Sequence, residues 1–232
     1  MYSSLEEGSI RQQRDEMLEH YRRRKWWVYK FLSPPLPLIP NPEEQPLPPC
    51  EGAKLFLGGA AGTVPAGFLN VDFEYVPGVD VVADVQALPF RSSSIAAIEC
   101  DAVLEHVVDP QLAVREMWRV LRPGGYLHVV VPFCQAFHGY PSDYQRWTVE
   151  GLKQLLREFK VLSVGIRTGP TATVLGIFTD YAKLIMPRPL RKPVYVLLGW
   201  VVWPARYLDR WLNRKPEAHT LANSVYILAQ KP

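Results

Sequence analysis

The sequence predicts an α/β fold built around a mostly parallel sheet with helices on both faces. From Lys54 onward, short apolar segments typical of strands alternate with helical segments. A glycine-rich turn follows the first of these strands, where sheets of this kind bind ligands. The 232 residues, 48% hydrophobic and 21% charged, suffice to bury one core but not two full domains.

The elements before the sheet are a helix and a linker. Residues 9–32 are rich in good helix formers, and Ser9 is suited to cap their first turn. The prolines of "SPPLPLIPNPEEQPLPP" then exclude helix and sheet interior, because proline lacks a backbone donor. We therefore divide the chain into residues 1–53, helix and proline-rich linker, and residues 54–232, the globular domain.

Seven strands and two helices are predicted within the domain. The strands are "KLFLGG", "GFLNVDF", "VDVVADV", "IAAIECD", "GYLHVVVP", "KVLSVGIR" and "SVYILAQK". One helix runs from Pro110 to Leu121, capped by Asp109 and ended by "RPGG", and the other from Val149 to Glu158 after Thr148. Residues 169–221 are too long for an ordinary connection, so we interpret them as a helical insertion before the last strand.

Charge, cysteines and the N-terminus limit the class of protein. A net charge of +3 is too small to indicate nucleic-acid binding by itself. Cys50, Cys100 and Cys134 show neither a disulfide framework nor the spacing of metal ligands, so no metal is predicted. The N-terminus lacks the apolar segment of a secretory signal, and no apolar run reaches the roughly 18 residues of a membrane span. We expect a cytoplasmic protein.

The glycine-rich turn and two aspartates form a candidate nucleoside site. Gly58, Gly59 and Gly62 allow the backbone to approach a ligand closely. Asp72, at the end of the second strand, can accept both hydroxyl hydrogens of a ribose. Asp84 could accept from an adenine amino group, while Val85 and Gln86 offer backbone amides to the ring. Taken singly, each signal is more often a feature of turns and caps than of a ligand site.

Residues 54–167 resemble a class I S-adenosylmethionine-dependent methyltransferase of the methyltransferase type 11 family. The resemblance lies in "LFLGGAAG", "NVDF", "VVADVQALPF", "IAAIECDAVLEHVVDPQLAVREMWRVLRPGGYLHVVVP" and "YQRWTVEGL", and residues 83–132 are its most specific part. It implies S-adenosyl-L-methionine as cofactor and a Rossmann-like, seven-stranded sheet whose final strand is antiparallel.

The resemblance also assigns roles to individual positions. Gly58 and Gly62 match the first and last glycines of the family's loop, Asp72 its ribose-binding acid and Asp84 its adenine-side acid. Asp101 matches the position that faces the methionine end and the reactive methyl group. The chain departs from the family at two positions. Phe56 stands where many members have an acid, and Ala60 replaces the middle glycine.

Candidate catalytic and substrate residues follow the fourth and fifth strands. His138 or Asp143 could act as a general base, and His106 is a third candidate, although it could simply hold its loop through a backbone hydrogen bond. Tyr140, Tyr144 and Arg146 are candidate substrate contacts in the same loop. Arg146 could pair with an anionic substrate or equally with Asp143. A base is optional, because the cofactor carries the reactivity itself.

Basic and aromatic residues flank the core on both sides. "RRRKWWVYKFL" and "MPRPLRKPVYVLLGWVVWPARYLDRWLNRK" place tryptophans beside arginines and lysines, as peripheral membrane segments do. These segments predict contact with an anionic membrane at its inner face. Alternatively, they pack on each other as a helical lid. Nucleic-acid binding is disfavoured, because the apolar run is too continuous.

These observations favour a methyltransferase acting on a small or lipid-linked acceptor by direct methyl transfer. The alternative is a non-catalytic membrane-associated scaffold with the same fold, which Phe56 and Ala60 would favour. A nicotinamide dehydrogenase is a weaker interpretation, because the sequence lacks a convincing G-x-G-x-x-G.

Overall fold

The computed structural model describes Ile39 and residues 41–59, 64–139 and 142–232. The predicted helix over residues 9–32, and the basic and aromatic segment at its end, lie outside the described residues.

The described chain forms one seven-stranded sheet. Its strands are β1 (Lys54–Leu57), β2 (Leu69–Asp72), β3 (Val81–Val82), β4 (Ile95–Asp101), β5 (Leu121–Pro132), β6 (Lys160–Thr168) and β7 (Ser224–Gln230). Their order is β3-β2-β1-β4-β5-β7-β6, and β7 is antiparallel to both of its neighbours. All seven predicted strands and the antiparallel last strand are therefore confirmed.

The central strands carry the core. Leu55, Ile98, Leu127, Val129 and Ile227 are fully buried, as expected where helices cover both faces of a sheet. Strands β1 to β5 run parallel to one another, and β6 runs in the same direction, because β5 and β6 are both antiparallel to β7. The carboxyl ends of these six strands therefore lie along one edge of the sheet. The loops at that edge form the candidate site.

Two helices connect strands as the sequence predicts. Helix α1 (Pro110–Val120) begins at Asp109, whose side chain accepts a hydrogen bond from Leu112 N, and α2 (Val149–Leu155) begins at Thr148, which accepts from Gly151 N. The fifth strand begins earlier than predicted, at Leu121 rather than Gly125, because Leu121 pairs with Ile95 of β4.

The end of the predicted linker packs on the sheet. Asn41 Nδ2 donates to Ile166 O at 2.8 Å, and Tyr226 Oη donates to Glu43 O at 3.2 Å. Arg167 Nη1 donates to Glu44 Oε1 at 2.7 Å. Residues just before the predicted domain boundary therefore contribute to the packing of β6 and β7.

The segment between β6 and β7 is helical, as predicted. It contains α3 (Pro170–Ile185), α4 (Arg191–Val202) and α5 (Asp209–Leu212), with 3-10 turns at Arg188–Leu190, Trp203–Leu208 and Pro216–Leu221. Buried Asp209 ties these pieces together, because its carboxylate accepts from Thr171 N at 2.8 Å and Ala172 N at 3.3 Å. A carboxylate at the first turn of α3 also favours the helix electrostatically.

The helices of this insertion leave many apolar side chains exposed. We call this set the apolar face; its most exposed members are Val174, Ile177, Tyr181, Leu184, Ile185, Leu197, Val201, Leu208 and Trp211. Among the described helices, none has the length and apolar character that a membrane span requires.

Candidate functional site

Gly58 forms the turn that follows β1. Its φ of +79° lies in the left-handed region, and its N–H donates to Val71 O at 2.9 Å. A Cβ at this position would lie 2.2 Å from Val103 Cγ2. Only glycine meets both conditions, so the backbone passes directly beside the segment after β4.

A cavity of about 170 Å³ opens beside this turn, and we call it the glycine-loop cavity. Gly58, Asp72, Asp84, Val85 and Gln86 all contribute to its lining. The structure thus brings five of the predicted cofactor residues together at the carboxyl ends of β1, β2 and β3.

Asp72 is a buried carboxylate in the wall of this cavity. Its Oδ1 accepts from Glu74 N at 3.0 Å, which closes a tight turn after β2, and its backbone oxygen accepts from Ala83 N at 2.9 Å. The bond from Glu74 N orients the carboxylate, and the bond from Ala83 N fixes the backbone that carries it. Other parts of the lining are the apolar side chains Phe73, Val103, Val107 and Val108, suited to a flat ring.

Asp84 lies in the same cavity, within a network that the sequence did not reveal. Its Oδ1 accepts from Gln86 N at 2.8 Å, and its carboxylate contacts Gln86 Nε2 at 3.2 and 3.3 Å. Gln86 Oε1 in turn accepts from Asp109 N at 3.2 Å. The expectation that the Gln86 amide faces an adenine ring is therefore corrected, because that N–H donates to Asp84.

The remaining loop glycines have other positions. Gly59 does not line the cavity; a Cβ there would lie 2.2 Å from Asn70 Oδ1, so this glycine allows close packing against β2. Gly62 and Ala60 lie outside the described residues.

A second cavity, of about 430 Å³, lies between the sheet edge and the insertion, and we call it the insertion cavity. The ends of β4, β5 and β6, the loop after β5, α3 and Arg206 line it. Asp101 lies here rather than in the glycine-loop cavity. Ala102 also lines the insertion cavity while Val103 lines the other, so the two cavities adjoin along this segment.

Asp101 faces a guanidinium that sequence reasoning missed. Arg167 Nη2 lies 3.7 Å from Asp101 Oδ2, while Arg167 Nη1 bonds Glu44. Burial raises the pKa of Asp101 above its ordinary value, against the opposing effect of Arg167. Arg167 ends a strand at the binding edge, and that position was the signal that could have identified it.

The loop after β5 is fixed by an ion pair. Arg146 forms two hydrogen bonds to the Asp143 carboxylate, and Arg146 also donates to Gln135 O at 3.1 Å and Ala136 O at 3.2 Å. The bonds from Arg146 lower the pKa of Asp143 to about 2, so Asp143 is a poor general base. Its predicted role as a base is therefore disfavoured, and Arg146 is occupied by Asp143 rather than held ready for a substrate.

Of the other two predicted substrate residues, the structure describes only Tyr144. Tyr144 is exposed and does not line the cavities; its N–H donates to Glu105 O at 2.7 Å. Tyr140 lies outside the described residues.

His106 and His138 meet at the junction of the two cavities. Their ring centroids are 5.1 Å apart in an edge arrangement. His106 Nδ1 lies 2.5 Å from Ser142 O, which matches the alternative that His106 holds a loop. His138 lines the insertion cavity and is the remaining candidate base.

Glu105, which sequence reasoning missed, lies between these histidines and is fully buried. Its Oε1 is 3.4 Å from His138 Nε2 and 3.8 Å from His106 Nε2. Burial raises the pKa of Glu105 to about 7.

A third cavity, of about 300 Å³, lies between α1 and α2. None of the predicted cofactor, catalytic or substrate residues that the structure describes lines it. We therefore place the functional site at the two adjoining cavities.

Comparisons with known proteins relate part of this chain to methyltransferases. The methyltransferase domain family matches residues 66–129, which run from β2 into β5. A protein of transposon TN4556 from Streptomyces fradiae is 47% identical over 154 residues, covering 60% of this chain and 44% of that protein. The demethylmenaquinone methyltransferase of Renibacterium salmoninarum is 39% identical over 87 residues, 37% of each chain.

Further relatives show the same partial overlap. The ubiquinone/menaquinone biosynthesis C-methyltransferase of Klebsiella pneumoniae is 30% identical over 108 residues, 43% of each chain. The chain thus spans less than half the length of these curated relatives. Phosphoethanolamine N-methyltransferase 2 of Haemonchus contortus aligns with a TM-score of 0.49 at 17% identity, covering 80% of this chain and 50% of that one. A likeness at that score carries no argument of its own.

The family match covers β2, β3 and β4 but begins after β1 and Gly58, and the sheet has the seven strands and the antiparallel last strand implied by the resemblance. Over residues 66–129 the chain is similar to the methyltransferase domain family, and its curated relatives include quinone methyltransferases.

Proposed function

We propose that this domain binds S-adenosylmethionine in the glycine-loop cavity and transfers its methyl group to a small-molecule acceptor in the insertion cavity. One observation carries the proposal: Gly58, Asp72 and Asp84, from the ends of three neighbouring strands, line one cavity. The family match over residues 66–129 supports it.

The residues of the glycine-loop cavity fit a nucleoside. Gly58 leaves room that a Cβ would fill, and Asp72 offers carboxylate oxygens to ribose hydroxyls. Phe73 and Val107 provide apolar contact for a purine, and Asp84 offers an acceptor for its amino group. When bound, S-adenosylmethionine supplies an activated methyl group on a positively charged sulfur.

The insertion cavity is suited to hold and orient the acceptor. Asp101 and Ala102 border it where it adjoins the glycine-loop cavity, and α3 covers it from the other side. Alignment of the acceptor and exclusion of water are the main contributions that this chain would make to an in-line transfer. His138 borders the same cavity and is the candidate to accept a proton from a hydroxyl acceptor.

The family match does not extend to the acceptor side. It ends at residue 129, before the β5 loop and the insertion. The relatives' names give demethylmenaquinone, or ubiquinone and menaquinone biosynthesis, as their chemistry. We therefore propose a chemical class for the acceptor of this chain, a small, amphiphilic or lipid-linked molecule, and not a particular compound.

The apolar face supports a membrane-proximal substrate at the inner face of the membrane. Leu184 is 75% exposed and Leu197 is 64% exposed. Arg188, Arg191, Lys192, Arg210 and Lys215 are exposed on the same insertion, and such cations attract anionic lipid. This arrangement favours peripheral contact of a cytoplasmic protein with the bilayer.

Calorimetry tests the cofactor proposal. We expect S-adenosylmethionine and S-adenosylhomocysteine to bind, and Asp72→Asn to weaken binding about 10- to 100-fold, since charge-assisted hydrogen bonds contribute about 1.5–3 kcal/mol. Asp109→Asn is the matched control, because asparagine also caps a helix and Asp109 lines neither cavity. Absence of binding by the unaltered chain would favour the non-catalytic scaffold.

Vesicle flotation tests the membrane proposal. We expect the chain to float with vesicles containing phosphatidylglycerol and less with phosphatidylcholine alone. Leu184→Ser combined with Leu197→Ser should reduce flotation. Tyr75→Ser is the control, because Tyr75 is 88% exposed and lies far along the chain from the insertion. No flotation by the unaltered chain would remove the membrane proposal.

A further inference from the structure

Three side chains with metal-ligating atoms meet at the junction of the two cavities. Glu105, His106 and His138 each place one such atom within 4.8 Å of the other two, a grouping found among the described residues. His106 lines the glycine-loop cavity and His138 lines the insertion cavity. The cluster therefore lies where cofactor and acceptor would meet.

The Glu105 carboxylate lacks the hydrogen bonds that burial normally requires. It is fully buried, and neither oxygen has a hydrogen-bond partner within the described ranges. Arg146, the nearby cation, contacts Asp143, backbone oxygens and His138 Nδ1 instead of Glu105. An uncompensated buried carboxylate is costly, so the site favours a cationic partner.

Each histidine is oriented by a contact at its other nitrogen. His106 Nδ1 lies 2.5 Å from Ser142 O, and a carbonyl can only accept, so Nδ1 carries the hydrogen. His138 Nδ1 lies 3.2 Å from Ala136 O and 3.5 Å from Asp143 Oδ2. These two acceptors favour the same tautomer over the opposing contact from the donor Arg146 Nη2 at 3.4 Å. Both Nε2 atoms then present lone pairs to Glu105. Metal-ligating histidines are typically held in this way.

Two of the ligand distances lie near those of tetrahedral coordination. Bonds of about 2.0–2.1 Å place ligand atoms about 3.3 Å apart in a tetrahedron. Glu105 Oε1 is 3.4 Å from His138 Nε2 and 3.8 Å from His106 Nε2. We propose that Glu105, His106 and His138 bind a divalent transition metal ion of the zinc class, leaving a position for water or an oxygen ligand.

The donor set selects the kind of ion. Imidazole nitrogens suit zinc and neighbouring transition metals, whereas magnesium prefers oxygen ligands. Two histidines and one glutamate with an open position also occur in catalytic zinc sites. An ion here would acidify a bound hydroxyl group, and His138 would then be a ligand rather than a base. That catalytic role rests on the proposed function; ion binding does not.

Metal titration of the full chain tests the site. After treatment with a chelator, we expect one equivalent of Zn²⁺ to bind, and Co²⁺ to give visible ligand-field absorption that Zn²⁺ abolishes. Glu105→Gln and His138→Gln should each weaken Zn²⁺ binding by more than the ~10–100-fold that loss of an outer-shell contact costs. His219→Gln, at an exposed histidine outside the cluster, should leave binding unchanged.

Two results would overturn the proposal: no stoichiometric Zn²⁺ binding by the unaltered chain, or equal binding by Glu105→Gln. If circular dichroism shows Glu105→Gln to be unfolded, Asp143→Asn replaces it, with an expected ~10–100-fold weaker affinity and retention of full affinity as the contrary result. Binding of S-adenosylhomocysteine is measured in parallel, so failure of the metal site and failure of the cofactor proposal are separated.

Discussion

The two adjoining cavities differ in how the chain builds them. The glycine-loop cavity draws its lining from residues 58–108, whereas the insertion cavity draws on residues 101–224. The first presents the carboxylates of Asp72 and Asp84, and its described lining contains no arginine or lysine. The second combines Asp101 with Arg167 and Arg206. The first therefore suits a ligand rich in hydrogen-bond donors, and the second suits a polar or anionic acceptor.

The strongest test of this contrast is Gly58→Ala. Left-handed backbone costs about 1–3 kcal/mol for alanine, and the new Cβ, 2.2 Å from Val103, adds overpacking of similar size. We expect a large loss of stability and of S-adenosylhomocysteine affinity, measured by urea denaturation and calorimetry.

Gly78→Ala is the matched control. Gly78 also has positive φ, but a Cβ there meets nothing within 4 Å, so only the backbone cost applies. Equal effects of the two substitutions would show that close approach at Gly58 is unimportant.

The contrast also explains what the sequence could predict. Gly58, Asp72 and Asp84 lie at or just beyond the carboxyl ends of β1, β2 and β3, so the parallel arrangement of these strands brings them to one edge. Arg167 and Arg206 reach their cavity only through the packing of β6 and the insertion. Glu105 was missed for a related reason: its burial between two histidines depends on the path of a loop some thirty residues away along the chain.

The next test is the pH dependence of stability, which depends on the buried His128 of β5. Burial lowers the pKa of His128 to about 4, so the unfolded chain binds this proton first as pH falls below about 6.5. Neutral His128 therefore contributes to the free energy of unfolding near neutral pH. This contribution, roughly 3 kcal/mol, is lost as the pH falls toward 4. Glu44 and Glu99 lie near His128, and burial raises the pKa of each, which acts in the opposite sense.

Urea denaturation at several pH values, comparing the chain with His128→Gln, isolates the histidine. We expect stability of the unaltered chain to fall more steeply between pH 6.5 and 4. Identical slopes would contradict the assignment of His128 as a buried neutral group.

A smaller effect is expected at the loop of the insertion cavity. Arg146→Lys removes the paired hydrogen bonds to Asp143 and the bonds to backbone oxygens, so stability should fall by about 1–3 kcal/mol. Affinity for S-adenosylhomocysteine should change less than twofold. Arg122→Lys, at an exposed arginine, is the control. A large loss of cofactor affinity with unchanged stability would contradict the separation of the two cavities.

The smallest effect should come from Asp84→Asn. This carboxylate is exposed and already bonded to Gln86, so we expect less than a tenfold loss of affinity, below that of Asp72→Asn. Calorimetry of both variants compares them directly, and a larger effect at Asp84 would reverse the proposed ranking of the two acids.

The central claim is that one nucleoside contacts both Asp72 and Asp84. A crystal structure with S-adenosylhomocysteine tests it most directly. We predict ribose hydroxyls within about 3 Å of the Asp72 carboxylate and the adenine beside Phe73, Asp84 and Val107. A nucleoside bound elsewhere, with both carboxylates turned away from it, would contradict the account.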